Sequence, residues 1–193
     1  MRYRIIFLVL MALFLVGCGI DNKQDNLSEH TTQTESEKGT SSTEEEPYIL
    51  TFKGITIDGE LMDSDYFGKS KLTMINVWAT YCPPCIKEMP DLGEIADEYD
   101  RTEFQILGII SDVMEGADKE GLEKAKTIIS DTKADYPHLL LNVELYQNLV
   151  GASSSVPTSY FFNQEGELLG YIVGAQSKET WCEIIDQLLE QLD

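Results

Sequence analysis

Two cysteines stand two residues apart in the stretch Trp78-Ala79-Thr80-Tyr81-Cys82-Pro83-Pro84-Cys85. An apolar run precedes the pair and a helical pattern follows it. The first turn of a helix has unpaired N–H groups and the positive end of the helix dipole. A thiol placed there loses its proton more readily, and the thiolate is the attacking species in disulfide exchange. The pair is therefore a candidate redox dithiol. A zinc site would need two more ligands. The two histidines, His30 and His138, stand apart from the pair and from each other, so no metal is expected. The remaining cysteines are Cys18 and Cys182. Cys182 follows Trp181 and lies one turn from Ile185; it reads as a core thiol, with a third redox centre as the alternative.

A dithiol of this kind needs a rigid strand behind it and a helix after it. Residues 71–79 are nearly continuous apolar and β-branched, which suits a strand buried on both faces. Residues 83–99 carry helical spacing through Ile86, Met89, Leu92, Ile95, Ala96 and Tyr99. Pro83 and Pro84 suit a helix start, where N–H groups lack intrahelical partners. Pro90 lies inside the pattern and is expected to kink the helix. Residues 104–110 read as a second buried strand, 118–134 as a helix, 139–141 as a short strand and 143–149 as a short helix. Residues 158–163 and 167–174 form a hairpin about Gln164-Glu165-Gly166, and 177–192 a terminal amphipathic helix. Upstream, 48–52 and 55–57 read as a hairpin around Lys53-Gly54. The alternation is α/β, ending β-β-α.

The N-terminus reads as a targeting segment. Arg2 and Arg4 precede an apolar run from 5 to 16, too short for a span of about 20 residues and suited to a signal core. The run ends Leu15-Val16-Gly17-Cys18, which resembles the bacterial lipobox. There, the cysteine is lipidated and becomes the new N-terminus; two acyl chains suffice for stable anchoring. An uncleaved anchor is the alternative. Residues 21–46 are rich in Ser, Thr, Glu and Asp and read as a disordered tether. The expected organisation is a signal peptide over 1–17, a lipidated acidic tether over 18–46 and one domain over 47–193. The formal net charge is −20, with arginine only at positions 2, 4 and 101. That balance argues against a nucleic-acid partner.

The residues carry a family resemblance. Asn76-Val77-Trp78-Ala79-Thr80-Tyr81-Cys82-Pro83-Pro84-Cys85-Ile86-Lys87-Glu88-Met89-Pro90 and Ser155-Val156-Pro157-Thr158-Ser159-Tyr160-Phe161-Phe162, with Gly166 beyond, resemble the TlpA/ResA-like, membrane-tethered thiol-disulfide oxidoreductases. The resemblance implies a thioredoxin fold with an N-terminal β-hairpin extension and a central helix–strand insertion over 112–141. It makes Cys82 the nucleophile and Cys85 the resolving thiol. Pro157 matches the cis-proline that faces the dithiol, leaving the Val156 backbone open to an extended substrate segment. Asn76 stands where ordinary thioredoxins carry a buried aspartate. Glu88 matches an acidic residue of the ResA-like group that moves protons in its place. A carboxyl buried there has a raised pKa and can exchange a proton with a thiol; the alternative is a solvated helix-face charge beside Lys87. Trp78, Tyr81, Pro83 and Pro84 flank the site, as substrate surface or as packing.

The implied activity is disulfide exchange outside the cytoplasm of a bacterium, on a protein anchored to the plasma membrane through Cys18. Its substrates would be oxidised exported proteins, and its reductant a membrane thiol-electron transporter. No cofactor is implied beyond the Cys82–Cys85 disulfide itself. Pro83 and Pro84 remove two N–H groups from beside the Cys82 thiolate. A moderately depressed pKa and a reducing role are therefore expected. A disulfide-forming oxidase is the alternative on the same fold. A peroxiredoxin would need Thr or Ser where Ala79 stands and an arginine beyond Arg101. A copper-delivery module would need one more residue between the cysteines.

Overall fold

The structure is a computed structural model and describes residues 46–117 and 119–192. The expected signal peptide, Cys18 and all but the end of the tether lie outside the described residues. Among the described residues, no helix is long and apolar enough to cross a membrane.

The N-terminal hairpin pairs β1 (Lys53–Ile55) with β2 (Leu61–Asp63), not 48–52 with 55–57 as the sequence suggests. Leu50 and Phe52 are buried in the core. The Leu50 N–H donates to the Gly166 carbonyl, and the Leu168 N–H to the Tyr48 carbonyl. Residues 48–50 are thus occupied by a partner more than a hundred positions away in the chain. The turn falls later, where Thr56 N–H donates to Glu60 O and Gly59 N–H to Thr56 O. Gly59 adopts φ +90°, which a residue without Cβ accommodates freely.

A five-stranded sheet carries the site. Its strands are β3 (Leu72–Trp78), β4 (Phe104–Met114), β5 (His138–Leu141), β6 (Thr158–Asn163) and β7 (Leu168–Val173). The spatial order is β5-β4-β3-β6-β7. β3, β4 and β5 run parallel; β6 and β7 run antiparallel to their neighbours. All seven residues of β3 are buried, because both faces of the sheet are covered. One face packs against α1 (Pro83–Glu98), α2 (Lys119–Thr132) and α4 (Lys178–Leu192), through Met89, Leu92, Ile95, Ala125, Trp181 and Ile185. The other packs against Phe52, Tyr66, Phe67 and two residues of or beside α3 (Val143–Asn148), Leu145 and Leu149. Each large side chain fully buried this way stabilises the fold by about 1.5–3 kcal/mol. α2 and β5 form the helix–strand insertion. β4 runs four residues beyond the expected end, and its pairing with β5 shifts register between Ile110 and Met114.

Candidate active site

The end of β3 and the start of α1 place the two cysteines. Cys82 is the N-cap of α1, and its Sγ lies 3.2 Å from the Cys85 N–H, a donor of the first turn. Pro83 and Pro84 occupy the first two helical positions, where no intrahelical N–H bond is lost. A disulfide joins Cys82 to Cys85. Cys82 is nearly buried and Cys85 wholly so, while Tyr81 beside them is 68% exposed. Pro83 and Pro84 are exposed as well. Opposite the pair, the Val156–Pro157 peptide bond is cis. The Val156 carbonyl oxygen lies 3.6 Å from Cys82 Sγ. The loop is held by Thr158 Oγ1 donating to Ser155 O at 2.7 Å and Gly174 N–H donating to Pro157 O at 2.8 Å. The structure thus brings Tyr81, Cys82, Cys85, Val156 and Pro157, residues from two distant stretches, to one place.

One helical turn below Cys85, Glu88 is buried, not on a solvated face. Its Oε1 accepts from Asn76 Nδ2 and its Oε2 from the Gln176 N–H, each at 3.2 Å. Burial pushes its carboxyl up to about 7; the Gln176 N–H, Asn76 and the nearby Trp181 indole pull the other way, and Asp91 adds to the rise. Asn76 Nδ2 also reaches Ser159 Oγ at 3.1 Å on β6. Three buried polar atoms lack a hydrogen-bond partner among the described residues: Asn76 Oδ1, Trp181 Nε1 and the Tyr136 hydroxyl. Two of those side chains favour the charged form of Glu88; the Tyr136 phenol is raised chiefly by its own burial, and the Glu88 charge adds to the rise.

Trp78 belongs to packing and not to a substrate surface. It is wholly buried, and its indole Nε1–H donates to His138 Nδ1 at 3.1 Å. β3 is covered on both faces, so a side chain near its end has no route to solvent. His138 Nε2–H donates in turn to Ala134 O at 2.9 Å. Burial pushes the imidazole down to about 4, against weaker pulls from the Ala134 carbonyl and Asp58. Gly108 makes room for the ring: a Cβ there would meet His138 Nδ1 at 2.0 Å. With both nitrogens committed, His138 has no lone pair for a metal, and no cluster of metal-binding side chains occurs among the described residues. Cys182 is a half-buried free thiol at the edge of the core.

Sequence reasoning missed a further contact at the site. Asp112, on the prolonged end of β4, accepts from Thr80 N–H at 2.9 Å and from Thr80 Oγ1 at 2.6 Å. Its neighbour Ser111 donates from Oγ to Trp78 O at 2.9 Å. The available signal was an acidic residue at the carboxyl end of a buried parallel strand, where α/β folds place their sites.

Comparison with known proteins agrees with this geometry. Residues 49–169 match the AhpC/TSA family. A thiol-disulfide oxidoreductase ResA of Bacillus thuringiensis (strain Al Hakam) is 26% identical over 113 residues, 58% of this chain and 60% of the relative. The matched stretch therefore spans well under two thirds of that relative's length. A second ResA, from Bacillus thuringiensis subsp. konkukian, is 23% identical over 97% of this chain and 98% of its own. Among solved structures, a thiol:disulfide interchange protein of the thioredoxin family from Chlorobium tepidum superposes with a TM-score of 0.62. It is 28% identical and covers 75% of this chain and 97% of its own. The fold is that of thioredoxin.

Proposed function

The chain belongs to the AhpC/TSA family, and from that premise we propose that it is a thiol-disulfide oxidoreductase working through Cys82 and Cys85. The observation that carries this reading is the disulfide at the N-terminus of α1, faced by the Val156 carbonyl and backed by buried Glu88. In the reduced protein, the Cys82 thiolate attacks one sulfur of a substrate disulfide and expels the other as a thiolate, which takes up a proton. The Cys85 thiol passes its proton to the Glu88 carboxylate, and the Cys85 thiolate attacks Cys82 Sγ. The Cys82–Cys85 disulfide forms, and the second substrate sulfur leaves as a thiolate that is then protonated. Two electrons and two protons pass to the substrate. A carboxyl near pH 7 is matched to that transfer.

Tyr81, Pro83, Pro84 and the backbone of Val156 form the contact surface for an extended segment of the substrate. The direction is reductive, because the two prolines withhold N–H donors that would further stabilise the Cys82 thiolate. Oxidised exported proteins are the substrates, and a membrane thiol-electron donor restores the dithiol. The signal segment, Cys18 and the acidic tether support a lipid-anchored, extracytoplasmic place. No group beyond the dithiol is required by these steps.

The test is trapping. A Cys85→Ala variant stalls mixed disulfides on Cys82, to be recovered from the envelope fraction and read by mass spectrometry. Recovering none overturns the reading. A reduction potential close to about −120 mV, that of strong oxidants, would reverse the direction.

A further inference from the structure

The clasp between β4 and the turn before Cys82 takes no part in the chemistry described above, yet it holds the short link from β3 to the nucleophile. Three residues, Ala79 to Tyr81, connect Trp78, the last position of β3, to Cys82. Three hydrogen bonds from two consecutive β4 residues hold this connection. Ser111 takes the Trp78 carbonyl, and the two Asp112 oxygens take the Thr80 N–H and hydroxyl. A fourth, Cys82 N–H to Ala79 O at 3.1 Å, closes the turn. The aim of Asp112 is explained by the sheet. β4 pairs with β5 in register up to Ile110 and resumes, shifted, at Met114. The intervening irregularity is the kind of bulge that redirects side chains at the rim of a sheet. Asp112, an exposed carboxylate, lies in this stretch two residues past the Trp78–Ile110 pair that ends the β3–β4 ladder, level with Thr80. Beyond the clasp the chain emerges at once: Thr80 is nearly buried, and Tyr81 is 68% exposed.

We propose that Asp112 is a positioning residue for disulfide exchange: through Thr80 it fixes the turn that presents Tyr81 and Cys82. The proposal rests on the oxidoreductase reading for its reaction, but not for its geometry. A two-point grip on one residue restrains both its backbone and its side chain. Without the grip, the turn samples positions in which Cys82 Sγ no longer caps α1 or faces the Val156 carbonyl. Misplacement of a reacting atom by about 1 Å costs up to about a hundredfold in rate.

The test uses the reduced full-length protein and two readouts. One is the rate at which it opens oxidised glutathione; the other is alkylation of Cys82 by iodoacetamide, which needs no disulfide substrate. Asp112→Ala is expected to slow both by about tenfold or more. Asp112→Asn is expected to stay within about threefold of wild type. Its Oδ1 still accepts the Thr80 N–H, and its amide donates to Thr80 Oγ1. Thr80→Ser keeps both contacts and follows wild type. Thr80→Val keeps one and falls between, and adds nothing to Asp112→Ala. If Asp112→Ala does not fold, the Thr80→Ser and Thr80→Val pair decides alone. Wild-type rates in Asp112→Ala, or in Thr80→Val, overturn the proposal. An Asp112→Asn as slow as Asp112→Ala also overturns it, since charge and not position would then be at work. Wild-type protein that alkylates normally but never opens glutathione disulfide counts against the oxidoreductase reading, and the alkylation series still judges the clasp.

Discussion

Glu88 and His138 lie on the same side of the sheet and are both buried, yet one is poised to titrate and the other is silenced. Burial moves both toward their neutral forms, the carboxyl up to about 7 and the imidazole down to about 4. The difference lies in what surrounds them. His138 has each ring nitrogen matched to one partner, Trp78 on one side and Ala134 on the other. Glu88 has two long hydrogen bonds, and the side chains of Asn76, Trp181 and Tyr136 each leave a polar atom unpartnered. A saturated buried group is structural. An undersaturated one, landing near neutrality one turn from a thiol, is equipped to trade a proton.

The sharpest way to break this contrast is to replace Glu88. Glu88→Gln keeps the size and one of the two accepted hydrogen bonds, from Asn76 or from Gln176, and cannot take the Cys85 proton. Turnover of a protein disulfide is expected to fall about a hundredfold, the lower range for loss of a general base. The wild-type rise in rate as pH passes through about 7 should disappear with it. A Glu88→Gln enzyme with wild-type turnover and pH profile would place Glu88 beside His138 as a structural group.

Stability against pH separates the two groups with opposite signs. The Glu88 pKa is raised on folding from 4.5 to about 7, so its contribution is complete below pH 4.5 and is lost as pH rises through 7. The His138 pKa is lowered from 6.5 to about 4, so its contribution is complete above pH 6.5 and is lost as pH falls through 4. Each amounts to about 3 kcal/mol at the order-of-magnitude level. Their windows overlap and their slopes oppose, so these two groups nearly cancel in the wild type between about pH 4.5 and 6.5. Denaturant melts of Glu88→Gln should gain stability across that window as pH rises. Melts of His138→Leu should lose it. Parallel curves for the two variants would defeat the comparison.

The same pair shows what could be read from the chain and what could not. Glu88 was readable as a candidate because it is adjacent in sequence to the dithiol, in a stretch whose residue order resembles a known family. β3, α1 and α4 were readable because their periodicities are local. His138 was not readable, because its partner Trp78 is sixty positions away and joins it only through the pairing of three strands. The hairpin was misplaced for a similar reason: residues 48–50 look like a local strand but are held by Gly166 and Leu168. Asp112 was hidden by a register shift, which no alternation of residue types announces.

Replacing His138 tests its side of the contrast at neutral pH. His138→Leu leaves the Trp78 indole N–H buried without an acceptor, at a cost of about 1–3 kcal/mol. Disulfide exchange by the folded protein should stay within about threefold of wild type, since nothing in the proton path is touched. A large loss of turnover with intact stability would make His138 a functional group.

The smallest effect is expected at the residue that packs on His138 and senses the Glu88 charge. The Tyr136 ring stacks on His138 with centroids 4.5 Å apart, while its hydroxyl is buried, unpartnered and sensitive to the Glu88 charge. Tyr136→Phe keeps the ring on His138 and deletes only the unpaired hydroxyl. Removing a buried polar atom that has no partner costs nothing and relieves its desolvation, so stability should rise by up to about 1 kcal/mol. Tyr66 provides the control. Its hydroxyl is also buried but donates to Ile106 O at 3.2 Å. Tyr66→Phe orphans that carbonyl oxygen and should lose about 1 kcal/mol. Thermal or denaturant melts of the two variants should therefore move in opposite directions. A Tyr136→Phe variant that loses stability like Tyr66→Phe would mean that its hydroxyl is satisfied in solution, and the polar surroundings of Glu88 would then be as complete as those of His138.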